Sequence, residues 1–182
     1  MQIITGKYRA RKLIAVDSEG TRPTLARVKE AVFNLIQDKI SGSVALDLFA
    51  GSGAFGAECI SRGVSKVYFV DQEEKAIKTI MQNTNKMTED FEIIKSDFVS
   101  ALQNFAKHNL KFSLVYLDPP FKSDFAVRAL EMLDSLSLLS EDATIIVEHS
   151  NENDLKNLLE CYIIEKSKKY GTIYVDVLSY RI

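Results

Sequence analysis

An apolar run at residues 43–48 leads directly into Gly51, Gly53 and Gly56, and a helical pattern opens at 54. A strand, a glycine loop and a helix in that order form a unit that must sit inside a parallel sheet. There the backbone turns sharply and can approach a ligand with no Cβ in the way. The rest of the chain keeps the same alternation. Strand candidates fall at 43–48, 66–71, 91–95, 112–117 and 143–148, and helical segments at 54–62, 73–87, 97–107, 124–137 and 152–159. Short apolar strands spaced by helices predict a parallel sheet joined by right-handed crossovers. The tail departs from this, because 161–168 and 172–181 are two extended stretches meeting near Tyr170-Gly171 with no room for a helix between them. They predict an antiparallel hairpin at one sheet edge. The expected fold class is α/β: a Rossmann-like, mostly parallel seven-stranded sheet closed by an antiparallel C-terminal hairpin.

Ahead of this core stands a different segment. Residues 2–16 alternate loosely through Ile3, Tyr8, Leu13 and Val16 and read as one or two short strands. Arg22-Pro23-Thr24 then leads into a helix with Val28, Val32, Leu35 and Ile36 on one face. The chain is therefore expected to be a single domain, 1–182. It comprises a small N-terminal β-hairpin/helix extension (1–40) and a core (41–182). With 182 residues and 46% hydrophobic content it can bury a real core. The net charge of −2 conceals an asymmetry: residues 1–30 carry seven basic and three acidic side chains, a net of +4, which leaves −6 for the other 152. A basic arm on an acidic body suits contact with a polyanion. No window has the ~20 apolar residues needed to cross a bilayer, and no secretory signal is seen, so a cytoplasmic location is expected. Cys59 and Cys161 are too few for a disulfide framework, and with His108 and His149 they lack metal-ligand spacing. No metal is expected.

Two motifs carry the chemistry. The first is the loop itself, Asp47-Leu48-Phe49-Ala50-Gly51-Ser52-Gly53-Ala54-Phe55-Gly56. Asp71 ends the second strand, where a ribose-binding carboxylate belongs. A nicotinamide dinucleotide is the rival ligand for such a loop. Asp47, ending the first strand and facing the crevice, would repel a pyrophosphate but suits the ammonium of a methionine moiety, so S-adenosylmethionine is the expected cofactor. Asp97 ends the third strand and opens a helix; it can serve as the helix N-cap, as acceptor for an adenine amino group, or as both. Phe98 lines the same place, and Phe49 and Gln72 are assigned to the cofactor with Gly51 and Gly53.

The second motif is Asp118-Pro119-Pro120-Phe121, at the carboxyl end of the strand 112–117. In open α/β sheets ligands bind at that edge. An exocyclic amine is a poor nucleophile because its lone pair is delocalised into the ring. The Asp118 carboxylate and the Pro119 carbonyl, accepting its hydrogens, would pull the nitrogen towards tetrahedral geometry, and Phe121 could stack on the base. Loop and turn together point to methyl transfer onto a planar nitrogen. A sheet ending in a reversed strand is also how class I methyltransferase folds close.

With these residues in hand, the chain resembles the bacterial 16S ribosomal RNA guanine-N2 methyltransferase D family over nearly its full length. The resemblance rests on residues 6–13 (Gly-Lys-Tyr-Arg-Ala-Arg-Lys-Leu), Arg22-Pro23-Thr24, residues 27–34, both motifs, and Lys169-Tyr170-Gly171. It implies methylation of the N2 of one guanine in small-subunit ribosomal RNA, acting on an assembly intermediate, by a monomer. Lys7, Arg9, Arg11, Arg22, Thr24, Arg27 and Lys122 are the expected RNA contacts. The chain departs from the family at Leu25-Ala26, where Thr-Asp is usual. Competing readings are an adenine-N6 or glutamine-amide methyltransferase built on the same turn, and a non-catalytic RNA-binding assembly factor.

Overall fold

In the computed structural model, which describes residues 1–16, 23–120, 124–150, 155 and 160–181, strands and helices alternate as the apolar pattern requires. Helix α1 (Pro23–Leu35) and a 3-10 turn (Gln37–Lys39) precede β1 (Val44–Asp47). There follow α2 (Ala54–Ser61), β2 (Lys66–Asp71), α3 (Glu74–Thr84), β3 (Phe91–Lys95), α4 (Phe98–Lys107), β4 (Phe112–Leu117), α5 (Phe125–Ser135), β5 (Leu139–Ser150), β6 (Tyr162–Tyr170) and β7 (Ile173–Tyr180). The seven strands form one sheet in the order β3-β2-β1-β4-β5-β7-β6. Pairings from β3 to β5 are parallel, and β7 runs antiparallel to both β5 and β6.

The central strands β1, β2 and β4 are buried on both faces, which is why they read as continuous apolar runs rather than alternating ones. On β1, Ala45 joins the core beneath α1 and α2, with Val32, Phe33, Phe55 and Ile60, while Leu46 joins the one beneath α4 and α5, with Leu102, Phe105, Leu130 and Leu133. Gly56 lets α2 lie against the sheet: a Cβ there would stand 2.2 Å from the Phe69 ring. β5 is longer than the expected 143–148 because it begins beside Phe112 and runs on along β7 to Ser150. The expected helix at 152–159 lies outside the described residues except for Leu155, which is buried.

The N-terminal segment pairs its two limbs as the expected short hairpin, through an antiparallel bridge from Gln2 to Lys12 and backbone hydrogen bonds between Ile3 and Arg11, Ala10 and Ile3, and Leu13 and Met1. It docks on α2. Glu58, fully buried in that helix, accepts from the Ile4 and Thr5 amides at 2.8 and 3.0 Å. It also pairs with Lys29 of α1 at 3.0 Å and Arg62 at 2.9 Å. Burial opposes charge on Glu58, but Lys29, the Ile4 amide and Arg62 outweigh it and hold the carboxyl below its usual range. Burial draws the Lys29 ammonium below its usual range despite Glu58. Asn83 of α3 adds a second tie, exchanging hydrogen bonds with both backbone groups of Ile14 and donating to the Ser52 carbonyl of the glycine loop at 2.8 Å.

Removing one member of a buried charged cluster strands the others, at a cost of ~3–5 kcal/mol. Glu58→Ala should lower the urea midpoint by an amount equivalent to that and expose the Ile4 and Thr5 amides to hydrogen exchange. A wild-type midpoint with those amides still protected would show that the arm is held by apolar contact alone.

Candidate active site

Strand order changes direction at β1, with β2 on one side and β4 on the other, and the crevice of the molecule lies at the carboxyl ends of these strands. It has two chambers. The larger, about 390 Å³, is lined by Leu48, Phe49, Gly51, Asp71, Gln72, Asp97, Phe98, Asp118, Pro119 and Phe125 among others. Its volume falls in the range of pockets that enclose a nucleoside-sized ligand. Phe98 packs between Phe49 and Phe125, at 5.5 and 5.1 Å between ring centroids, and gives the chamber an aromatic wall. The Arg128 guanidinium lies 5.5 Å from the Phe98 ring and backs that wall.

Asp71 is held in place by the backbone it serves. One oxygen accepts from the Gly51 amide at 2.8 Å and the other from the Glu73 amide at 2.9 Å. A carboxylate oxygen has a second lone pair, so both remain able to accept from a hydroxyl in the chamber. Gly51 adopts φ +52°, a left-handed conformation, and a Cβ added there would meet nothing within 4 Å on the protein side. The loop thus offers bare backbone to a ligand. Asp97 is the N-cap of α4, accepting from the Ser100 amide at 2.9 Å. That hydrogen bond holds its carboxyl below the usual range. It also lines the chamber, so its two expected roles are compatible in geometry.

The smaller chamber, about 190 Å³, is lined by Lys29, Asp47, Phe55, Tyr116, Asp118 and Glu148 among others, and shares Phe49, Gly51 and Asp118 with the larger one. Asp47 is 1% exposed; its Oδ2 accepts from the Gly56 amide at 3.1 Å, and its Oδ1 has no partner. Burial, only partly offset by the Gly56 amide, pushes its carboxyl up to about 8. Burial, then the nearby Glu148 and Asp47 charges, raises Asp118 well above the carboxylate range. Glu148 is raised by burial and moderated by the Tyr116 hydroxyl, which donates to its Oε1. Tyr116 in turn stacks on Phe55, with ring centroids 4.2 Å apart.

Most residues singled out in the sequence meet here. Asp47, Phe49, Gly51, Asp71, Gln72, Asp97, Phe98, Asp118 and Pro119 all line one chamber or both. Gly53 instead serves the turn: it is the N-cap of α2 at φ +71°, its amide donates to the Ala50 carbonyl at 2.7 Å, and it packs against Phe69 and Ile80. Phe121, Lys122 and Arg22 lie outside the described residues, and Thr24 stands in the first turn of α1. Lys7 is paired with Glu89 at 2.7 Å, and Arg11 donates to the Asn85 carbonyl, so part of the arm's charge is answered locally. Arg9 and Lys12 line a groove of about 830 Å³ between the arm and α1, and Arg27 is exposed beside it. Sequence reasoning missed Phe125, Tyr116 and Glu148. For Glu148 a signal existed, since a carboxylate closing the apolar run Ile145-Ile146-Val147 is placed at the ligand edge of the sheet.

Asp47 also gives a pH-dependent expectation. The native carboxyl keeps its proton up to about 8, whereas the unfolded chain loses it near 3.8, so this group's contribution to stability falls as pH rises between those values. Asp47→Asn, which can still accept from Gly56, should raise Tm, with a gain on the order of 1–2 kcal/mol at pH 8.5 and little at pH 4. Thermal melts across that range check it; a gain independent of pH would remove ionisation of Asp47 as the cause.

A family profile described as "Conserved hypothetical protein 95" matches residues 1–179. YlbH of Bacillus subtilis, a candidate rRNA methyltransferase, is 36% identical over 183 residues, covering 100% of both chains. Ribosomal RNA small subunit methyltransferase D of Haemophilus influenzae is 35% identical over 188 residues, covering 100% of this chain and 92% of its own. The solved structure of yhhF, a candidate methyltransferase of Escherichia coli, superposes with a TM-score of 0.87 at 26% identity, covering 100% of this chain and 98% of that one. The glycine loop, the acidic strand ends and the Asp118-Pro119-Pro120 turn thus stand on a chain that, by its full-length likeness, belongs to the ribosomal RNA small subunit methyltransferase D family.

Proposed function

We propose that this protein transfers a methyl group from S-adenosylmethionine to the exocyclic N2 of a guanine in 16S ribosomal RNA, acting in the cytoplasm on a small-subunit assembly intermediate. The observation that carries the reading is that Asp118, in the Asp-Pro-Pro turn, lines both chambers. One is aromatic-walled and suited to an adenosyl group; the other is acidic and suited to cationic and amine groups. Relatives whose names specify small-subunit ribosomal RNA support the substrate class, and the family resemblance supplies the guanine N2.

The residues present fit the methyl donor. Phe49, Phe98 and Phe125 would enclose the adenine, with Asp97 at its amino edge; Asp71 would accept from the ribose hydroxyls across bare Gly51 backbone. The unpartnered Oδ1 of Asp47 would meet the ammonium. Once bound, that donor supplies a methyl already activated on a sulfonium, so positioning and electrostatics supply what remains of the catalysis. Asp118 and the Pro119 carbonyl accept the hydrogens of the target amine and localise its lone pair. Phe121 stacks on the flipped base. Lys7, Arg9, Arg11, Arg22, Thr24, Arg27 and Lys122 hold the RNA backbone.

Asp118→Ala should slow single-turnover methylation of a ribosomal substrate by ~100-fold or more, the scale seen when one preorganised polar group is lost. A wild-type rate would place the chemistry elsewhere. Nucleoside mass spectrometry of ribosomal RNA from cells with and without the gene reads base and atom together. Loss of N2-methylguanosine is expected, and loss of N6-methyladenosine instead would replace the guanine reading.

Neutralising Arg9, Arg11 and Arg27 together should weaken RNA binding across sequences and flatten its dependence on salt, since each phosphate contact releases counterions. Cofactor affinity should not change. An unaltered salt slope would return the arm to a purely structural role.

A further inference from the structure

The carboxylates of the smaller chamber stand on three neighbouring strands. Asp47 of β1 is in register with Tyr116 of β4. Leu117 of β4 is in register with Val147 of β5, so Asp118 and Glu148 follow side by side at the strand ends. All three open on the same cavity, and Tyr116 lies among them. Of the other charged groups facing it, the Lys29 ammonium is already engaged. Lys29 of α1 is committed to Glu58 at 3.0 Å and to the Gln2 carbonyl at 3.1 Å. Met1 also lines the cavity, Asp71 lies across the glycine loop, and Cys59 of α2 lies behind Asp47. Three carboxylates in about 190 Å³ cannot all be ionised without an entering cation. The unpartnered, fully buried Oδ1 of Asp47 marks where one is wanted.

Building on the cofactor reading above, we propose that Glu148 and Asp47 make Asp118 a proton acceptor controlled by the charge on the donor's sulfur: Asp118 gives up its proton when a sulfonium is bound and takes the amine's proton when that charge disappears. In the free protein the Tyr116 hydroxyl stabilises charge on Glu148, so the proton rests on Asp118, as burial and the neighbouring carboxylates also require. A protonated Asp118 accepts only weakly from an amine and cannot take its proton. With a positive sulfur in the site, its ionised form is favoured and the acceptor is made. During transfer the N–CH3 bond forms as the S–CH3 bond breaks, and the sulfonium pair becomes a neutral thioether. One of the two nitrogen protons then passes to Asp118. Donor charge and acceptor charge vanish in the same step, and the cavity returns to the charge it had in the free protein.

Titration calorimetry of the intact protein with S-adenosylmethionine and with its thioether product, in two buffers of different ionisation enthalpy at pH 7, tests this. Up to about one more proton per site should be released with the sulfonium form than with the thioether. Asp118→Asn should abolish the difference. Glu148→Gln keeps an acceptor for Tyr116 but removes the charge that holds the proton on Asp118. It should at least halve the difference at pH 7 and move the acid limb of kcat to lower pH, an effect that loss of packing would not produce. Equal proton release for two ligands that both bind would overturn the inference alone, as would a difference that survives Asp118→Asn. No heat with either ligand would overturn the cofactor reading and the inference with it.

Discussion

β1 is four residues long, yet it is hydrogen-bonded in parallel on both sides, to β2 and to β4. Chain connectivity forces the crossovers to leave it in opposite directions, so no connection covers its carboxyl end. The strand-end carboxylates of the molecule collect at that edge. Asp47 ends β1 itself, Asp71 ends β2, Asp97 follows β3, Asp118 follows β4 and Glu148 stands near the end of β5. The arrangement holds only if α2 can close against the sheet immediately beyond the loop. Gly56 permits this by leaving room for the Phe69 ring while its amide fixes Asp47.

The acidic character of the site follows from the same geometry. Strand ends in a parallel sheet lie about 4.8 Å apart, so carboxylates at successive ends are brought together whatever the sequence between them. Water would ordinarily screen them, but Phe33, Phe55 and Tyr116 stack along the inner chamber and Asp47 is left 1% exposed. Asp47 and Asp118 are consequently held protonated well beyond the usual carboxylate range. Outer-chamber carboxylates meet the opposite condition: Asp71 and Asp97 accept backbone amides and face solvent more openly. One crevice therefore contains a backbone-held acceptor set suited to hydroxyls and amines and a proton-rich set suited to answering a cation.

The N-terminal arm is tied to this edge as well as to the back of the molecule. Asn83 bonds both Ile14 and the Ser52 carbonyl, and Lys29 and Met1 reach the inner chamber. A segment proposed to hold RNA thus shares hydrogen bonds with the loop proposed to hold the methyl donor. The buried Glu58 cluster holds the arm while leaving Arg9, Lys12 and Arg27 at the surface.

The sequence pattern located six of the seven strands to within two residues at each end and placed the C-terminal hairpin, because burial of the central strands on both faces is written directly into their composition. The glycine loop and the Asp-Pro-Pro turn were equally legible, since their residue types are demanded by backbone geometry. The fifth strand was under-read because Ser140, Glu141 and Asp142 are polar and fall where its register against β4 shifts. The arm's pairing is short, one bridge flanked by the Ile3–Arg11, Ala10–Ile3 and Leu13–Met1 backbone hydrogen bonds, while the Ile3 and Leu13 side chains are buried in the core. The part played by Tyr116 could be seen only in three dimensions, and for Glu148 the sequence signalled a place at the ligand edge but not its partners. Each is an ordinary residue in an apolar strand until register sets Glu148 beside Asp118 and points the Tyr116 hydroxyl at it. Sequence determined which residues end the strands; the order of strands in the sheet decided which of those ends would share a cavity and a proton.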